Sequence, residues 1–182
     1  AIHYYEFAAN QNDVMAQYYL GIIFYDGKYT KRDINKSIYY LTQAANQNYT
    51  EAQFKLGFIF YPGSFVKGDI NKSIHYFTLA AEKNHLLSLL NLGGIYYIGY
   101  YIPQDINKSI YYFSLAAEQN NSYAQCFLGH FYQEGYYKPI DINKSIYYYT
   151  LSAKQNNLIS LVNLGSTYYK GKYIKRDIEK AI

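Results

Sequence analysis

The sequence predicts an all-α protein, a right-handed α/α solenoid of helix–turn–helix repeats. The string Asp-Ile-Asn-Lys-Ser-Ile begins at positions 33, 69, 105 and 141, a variant begins at 177, and each interval is 36 residues. Leu-Gly pairs recur at the same interval, and the apolar residues inside each repeat follow the period of an α-helix. A pattern that returns without insertions indicates that each repeat is one structural unit.

The first element of the motif is a helix over residues 33–47, which we name the B helix. Its apolar residues Ile34, Ile38, Leu41 and Ala45 recur at intervals of four, three and four residues, as one helix face requires. Asp33 is suited to cap the free amides of the first turn. The equivalent caps are Asp69, Asp105, Asp141 and Asp177.

The B helix is expected to stop at a recurring asparagine. Asparagine tolerates the left-handed backbone conformation that ends helices, so a short turn should follow it. These asparagines are Asn12, Asn48, Asn84, Asn120 and Asn156.

The second element is a helix over residues 50–61, which we name the A helix. Ala52, Leu56 and Ile59 lie on one helical face. Gly57 in mid-helix costs about 1 kcal/mol relative to alanine, so its recurrence predicts a close approach of two backbones. We expect Ala44 and Ala45 to face it. Gly63 should then end the A helix.

The repeats predict a single array over residues 1–182 with boundaries at 33, 69, 105, 141 and 177. The chain begins with Ala1-Ile2 and ends with Ala181-Ile182, which occupy the same repeat positions as Ser37-Ile38. Because an internal repeat leaves an apolar face uncovered, we expect this array to be a piece of a longer one.

Composition disfavours several classes of partner and compartment. The net charge of +4 is too small to indicate a polyanion by itself. In the middle loops Pro103-Gln104 and Pro139-Ile140 replace the basic pairs that end at Arg32 and Arg176, so no continuous basic stripe forms. We therefore expect no nucleic-acid partner. No apolar run approaches the roughly 20 residues that span a bilayer, so no membrane insertion is expected in this segment. The single Cys126 cannot form an internal disulfide, which favours a reducing, cytoplasmic setting.

The residue pattern predicts no catalysis, no cofactor and no metal site. His3, His75, His85 and His130 fall in three different repeat positions, and no Cys-x-x-Cys pair or pair of histidines at helical spacing occurs. The Asn-Lys-Ser triplets fit a glycosylation pattern, but we interpret them as first-turn residues of the B helices. The chain is therefore interpreted as a non-enzyme.

The repeat resembles the Sel-1-like repeat family, a branch of the tetratricopeptide-like solenoids. The residues that carry this resemblance in one repeat are Ala52-Gln53, Leu56-Gly57, Tyr61, Gly63, Asp69, Lys72, Ser73 at the usual alanine position, Tyr76 and Ala80-Ala81. The resemblance implies a protein-interaction scaffold or adaptor in which the A helices line a concave groove.

That implication selects side chains that the packing of the repeat does not need, and we predict that they bind a protein or peptide segment. The predicted groove residues are Tyr18, Ile22, Tyr25, Glu51, Phe54, Phe58, Tyr61, Leu87, Leu90, Tyr97, Tyr123, Cys126, His130, Val162 and Tyr169. For any single aromatic residue, packing in the core is the competing interpretation.

Two other functions remain open from the sequence. In the first alternative, the chain is an accessory or ligand-binding region of a larger enzyme or of a membrane-anchored protein. In the second it is a self-assembling structural spacer, with end-to-end association through the apolar ends at Ile2 and Ile182.

Overall fold

The chain is described by a computed structural model over residues 2–64, 67–135, 139–171 and 174–181. Ala1 and Ile182, at the ends of the predicted array, lie outside these residues. The described residues form α-helices and no strands. The helices are α1 (Ile2–Asn10), α2 (Val14–Asp26), α3 (Ile34–Asn46), α4 (Thr50–Phe60), α5 (Ile70–Ala81), α6 (Leu86–Ile98), α7 (Ile106–Glu118), α8 (Ser122–Glu134), α9 (Ile142–Ala153), α10 (Leu158–Lys170) and α11 (Ile178–Ala181).

The helices alternate as the sequence predicts, which confirms the all-α repeat fold. The A helices are α2, α4, α6, α8 and α10, and the B helices are α1, α3, α5, α7, α9 and α11. The chain divides into two compact units: unit 1 is Ala1–Asn91 and unit 2 is Leu92–Ile182.

The aspartate caps are confirmed at every B helix where one is predicted. In α3 the Lys36 backbone amide donates a hydrogen bond of 3.0 Å to Asp33 Oδ1. The same bond recurs at Asp69, Asp105, Asp141 and Asp177. Some A helices have caps that were not predicted, as at Asp13, which accepts from the Ala16 amide at 2.7 Å.

The asparagine stops are confirmed by backbone geometry. Asn12, Asn48, Asn84, Asn120 and Asn156 have φ between 59° and 65°, in the left-handed region. Asparagine is among the few residues that adopt this conformation readily, so the turn between the B and A helices has the same geometry at all five positions.

A close approach does occur at Gly57, but it is to a side-chain ring and not to a second backbone, and the predicted neighbour is wrong. A Cβ atom on Gly57 would lie 2.6 Å from the Phe77 ring, so the nearest neighbour comes from the following B helix and not from Ala44 or Ala45. Ser73, buried in the same B helix, donates a hydrogen bond of 2.7 Å to the Gly57 carbonyl. The serine at the family's alanine position therefore ties the two helices together.

The prediction that Gly63 ends the A helix is also wrong. The α4 helix ends at Phe60, and Tyr61 has an extended backbone with ψ 133°. Pro62 explains the early end, because proline disfavours the helical conformation of the residue before it and lacks an amide proton. In α2, α8 and α10 the equivalent position is not proline, and each helix continues to its glycine cap at Gly27, Gly135 and Gly171.

A stack of three side chains joins each of the first four A helices to the following B helix. The Phe24 ring stacks on Tyr40 with centroids 5.9 Å apart, and Lys36 Nζ lies 5.0 Å from the Phe24 centroid. Tyr40 and Lys36 are four residues apart on α3, so they lie on the same helical face. The same stack recurs as Phe60 with Tyr76 and Lys72, Tyr96 with Tyr112 and Lys108, and Tyr132 with Tyr148 and Lys144.

Neighbouring repeats within each unit are joined by amide side chains. In unit 1, Gln47 Nε2 donates to the Asn12 carbonyl at 3.1 Å and to Gln17 Oε1 at 2.8 Å. In unit 2, Gln155 Nε2 donates to Asn120 Oδ1 at 3.2 Å and to Gln125 Oε1 at 2.9 Å. The junction between repeats therefore has the same hydrogen-bond pattern in both units.

Candidate functional site

Apart from Tyr61, which follows the end of α4, the predicted groove residues lie on the A helices at spacings of three, four or seven residues, which places them on one face of each helix. We call this face the A face and describe it separately for the two units. Side chains on the A face range from buried Cys126 to exposed Val162. The exposed ones are Glu51, Phe58, Leu87, Tyr123, Val162 and Tyr169.

In unit 1, aromatic rings occupy most of the space on the A face of α2. The Tyr18 ring lies 5.0 Å from Tyr49, centroid to centroid. Lys55 Nζ, from α4, lies 3.9 Å from the Tyr25 centroid. Burial lowers the pKa of the Lys55 ammonium, while the charge of Asp26 acts in the opposite direction. These rings are therefore packed together and only half exposed.

On α4 the A face is occupied in a similar way. The Phe54 ring lies 4.7 Å from the His85 ring, and His85 Nε2 lies 3.6 Å from Glu51 Oε1. The Ser88 backbone amide donates to His85 Nδ1 at 3.3 Å, so this imidazole also caps α6. Phe58 is not covered and remains 47% exposed.

In unit 2 the A face of α8 is built around a cluster of aromatic rings. Phe127 stacks on Phe113 with centroids 4.6 Å apart, and its ring also lies 4.9 Å from Tyr123. Tyr97 contacts Phe127 edge-on at 5.4 Å, and its hydroxyl oxygen lies 3.5 Å from His130 Nε2. These contacts fix the orientation of the Tyr123, Phe127 and His130 side chains, which form a wall along α8.

A cleft of about 170 Å³ opens beside that wall, between α8 and α10. Its lining residues are Tyr123, Cys126, Phe127, His130, Ile159 and Asn163. The cleft brings together three of the predicted groove residues, all on α8. Val162 and Tyr169, predicted for the same groove on α10, do not line it and remain 69% and 57% exposed.

The base of the cleft is hydrogen-bonded within the protein. Burial raises the pKa of the Cys126 thiol above its ordinary value, and a hydrogen bond with Ser160 opposes that rise. The Ser160 hydroxyl donates to Ser152 Oγ at 2.8 Å. Burial raises the pKa of the Tyr149 hydroxyl strongly, and a hydrogen bond with Asn163 acts in the opposite direction. The thiol therefore stays neutral near pH 7.

Sequence reasoning missed Phe127 and Asn163. Both occupy the sixth position of an A helix, which the sequence analysis assigned to neither the groove nor the core. The available signal was the residue type, because this position is Tyr19 in α2 and Lys55 in α4, and a large side chain there contacts a neighbouring ring in each case.

The described residues contain neither a cluster of metal ligands nor a helix able to span a membrane. Within them, no group of three or more His, Cys, Asp or Glu side chains lies close enough together to hold a metal ion. Among the helices of the described segments, none has both the length and the apolar character needed to cross a bilayer.

Comparison with known proteins identifies relatives of the repeat. A sequence profile described as Sel1 repeat matches residues 1–13, 14–49, 50–85, 86–121, 122–157 and 158–182. Each match from residue 14 onward starts at the first residue of an A helix, so the profile divides the chain between the B and A helices. No curated protein matches the chain.

Solved structures of similar proteins share the fold. A Sel1 repeat protein from Oxalobacter formigenes is 32% identical with a TM-score of 0.77, and the match covers 99% of this chain and 74% of that one. The c5321 protective antigen of uropathogenic Escherichia coli, which displays an SLR fold, is 29% identical with a TM-score of 0.86. That match covers 97% of this chain but only 38% of the antigen.

Proposed function

Because this chain belongs to the Sel1 repeat family, we propose that it is a non-catalytic scaffold that binds a protein or peptide segment on its A helices. Proteins of this family generally serve as interaction scaffolds. The observation that carries the proposal is the apolar cleft of about 170 Å³ between α8 and α10, which opens beside exposed apolar side chains of the same helices.

Exposed apolar side chains on the A face support a polypeptide partner. Phe58 and Tyr123 are 47% and 49% exposed, and Val162 is 69% exposed. Covering such side chains contributes about 25 cal/mol for each Å² of apolar surface removed from water. Aromatic residues are also enriched among the side chains that dominate binding energy at protein interfaces.

The proposal is tested by substituting exposed A-face residues and measuring partner capture. The test variant is Phe58→Ser, because serine occupies the equivalent position of α10 as Ser166. The matched control is Tyr39→His on the B helix α3, where Tyr39 is 59% exposed and the equivalent residue of α5 is His75. Both changes remove one exposed aromatic ring, and each introduces a residue type that the array already tolerates.

We expect Phe58→Ser, alone or with Tyr123→Ser, to reduce capture of partners from an extract of the source cells. Tyr39→His should leave capture unchanged, and circular dichroism should show equal helix content in all variants. Equal capture by wild type and by the A-face double variant, with loss in Tyr39→His, would move the binding surface to the B helices and contradict the proposal.

A further inference from the structure

We propose that the cleft between α8 and α10 anchors the partner by accepting one uncharged side chain about the size of a phenyl ring. This inference rests on the proposed function, because it assigns the anchor point of the same interaction. Its occupant is a peptide segment that inserts a phenylalanine or leucine side chain past Tyr123 and Ile159 and onto Cys126.

The cleft exists because one repeat position changes size. The fifth residue of the A helix is Tyr18 in α2, Phe54 in α4 and Leu90 in α6, but Cys126 in α8. Cysteine is the smallest side chain at this position. The backbone of α8 is held by the Asn121 cap and by the close contact of Gly129 with Tyr149, so it does not collapse into the vacated space.

The volume of the cleft sets the size of the occupant. Pockets for drug-sized ligands and cofactors usually measure roughly 300–1,000 Å³. This cleft measures about 170 Å³. An apolar cavity of about 150 Å³ accommodates a benzene molecule. The space therefore suits one phenyl or branched aliphatic side chain and is too small for an indole ring with its backbone or for a nucleotide.

The chemistry of the lining excludes a charged occupant. None of its six described lining residues is Asp, Glu, Lys or Arg. His130 already lies beside the Tyr97 hydroxyl, and the Asn163 side chain is hydrogen-bonded to Tyr149. A charged group placed among these rings would lose its hydration without gaining an ionic partner, which is strongly unfavourable. An apolar side chain loses nothing there and displaces water.

The rim of the cleft suits a polypeptide better than an isolated small molecule. Tyr123 is 49% exposed and Ile159 is 59% exposed. A chain that inserts one side chain between them would cover both, and a surrounding ring of covered residues that excludes water is typical of a binding hot spot. Phe127 is fixed by its stack on Phe113, so the wall is in place before binding.

The probe for this proposal is a displayed library of random peptides selected against the full chain. The filling variant is Cys126→Leu, which copies Leu90 of α6. The control is Val162→Leu, which enlarges the same repeat position on α10, where the side chain is 69% exposed and does not line the cleft. Peptide affinities are then measured by fluorescence anisotropy for the wild type and both variants.

We expect the selected peptides to share one phenylalanine or leucine whose replacement by alanine or lysine lowers affinity by on the order of tenfold or more. Cys126→Leu should cause a loss of similar size, and Val162→Leu should change affinity less than about twofold. Peptides that bind equally well to Cys126→Leu would overturn the anchor while leaving the scaffold function standing. A library that yields no binding peptide, from a chain that still captures a partner, would also overturn the anchor alone.

A second measurement covers the case in which Cys126→Leu does not fold. Cys126 is the single cysteine of the chain, so the rate of its alkylation by iodoacetamide reports on the cleft of the unmodified protein. A saturating concentration of a selected peptide should slow that reaction at least about tenfold, because the occupant covers the thiol. An unchanged rate with the peptide bound would show that the peptide lies elsewhere and would overturn the proposal.

Discussion

In α2 and α4 of unit 1 the fifth residue of the helix is an aromatic ring that packs against the ring of the residue preceding the next A helix. Tyr18 lies 5.0 Å from Tyr49, and Phe54 lies 4.7 Å from His85. In unit 2 the two equivalent positions on α8 and before α10 are Cys126 and Asn157, and a cleft of about 170 Å³ opens beside the cysteine. The same repeat position is therefore filled in one unit and open in the other.

Under the proposed function, packing and recognition fall on separate repeat positions. The caps, the mid-helix glycines and the junction amides recur in both units with nearly unchanged distances. The side chains that line the cleft are not among these contacts, although the residue that faces the glycine also varies, from Leu41 to Tyr149. A cleft can therefore be opened or closed by one or two substitutions without altering the backbone that holds it, and the following predictions test that separation.

The largest effect on stability is expected at the contacts that recur in both units, which are the caps, the mid-helix glycines and the junction amides. A Cβ atom on Gly129 would lie 2.6 Å from the Tyr149 ring, and a methyl group there should lower the free energy of unfolding by about 2–3 kcal/mol. Gly94→Ala is the matched control because nothing lies within 4 Å of its Cβ position, and it should raise that free energy by about 0.5–1 kcal/mol. Urea denaturation measures both. Equal effects of the two substitutions would show that the close contact at Gly129 does not require glycine.

The next largest loss of stability is expected when the filled position of α4 is emptied. Phe54→Cys copies Cys126 and removes the contacts of the ring with Phe77 and His85, whose centroids lie 5.9 Å and 4.7 Å away. Because Phe54 is half-buried, the loss should be about 2 kcal/mol, below the roughly 3–5 kcal/mol typical of a fully buried ring. A crystal structure of the variant should show a new cleft beside α4. An unchanged backbone with no cleft would mean that neighbouring side chains fill the space.

A smaller effect of opposite sign is expected on closing the cleft of unit 2. Phenylalanine at 126 together with histidine at 157 recreates the pair of Phe54 and His85. In a double-mutant cycle of Cys126→Phe and Asn157→His, the coupling should be favourable by about 0.5–1.5 kcal/mol, the range for an aromatic pair. A coupling near zero would show that the two units position these residues differently.

The smallest change in stability is expected for serine-to-alanine substitutions. They compare buried hydroxyls that donate a hydrogen bond with buried hydroxyls that do not, within each unit. Ser73 and Ser109 donate to glycine carbonyls at 2.7 and 2.8 Å, whereas the buried hydroxyls of Ser37 and Ser145 have no hydrogen-bond partner among the residues that the structure describes. Ser73→Ala should lower the free energy of unfolding by about 1 kcal/mol, and Ser37→Ala should be neutral or stabilising. Ser109→Ala and Ser145→Ala repeat the test in unit 2. Thermal unfolding of the four variants gives the comparison, and equal losses at all four positions would contradict it.

The fold could be predicted from the sequence because its determinants are local and repeated. The Asp33 cap depends on residues three positions away, and the left-handed Asn48 depends only on its own backbone. The end of α4 was mispredicted although the signal was present, because Pro62 acts on the residue before it and the recurring Gly63 drew attention instead. The neighbour of Gly57 was mispredicted because it depends on how two helices are aligned, and adjacency in the sequence does not give that alignment.

The candidate site was less accessible to sequence reasoning. The spacing of Tyr123, Cys126 and His130 correctly placed them on one face of α8, since helical periodicity alone decides this. Whether such a face is filled or open also depends on the residue that precedes the next A helix. That residue is Tyr49 in the case of Tyr18 and Asn157 in the case of Cys126, and it belongs to a different helix junction. The volume of the cleft depends on several side chains together, so the residues at one repeat position do not predict it.

The amide junctions also bear on how such an array changes over generations. Gln47 joins its repeat to Asn12 and Gln17 of the preceding one, and Gln155 joins Asn120 and Gln125 in the same way. Since the two junctions use the same side chains, a repeat transposed by recombination from one place to the other would meet compatible neighbours on arrival. Whole repeats, each with its own A face, can then be shuffled, gained or lost in steps of one gene segment without redesigning the seams between them.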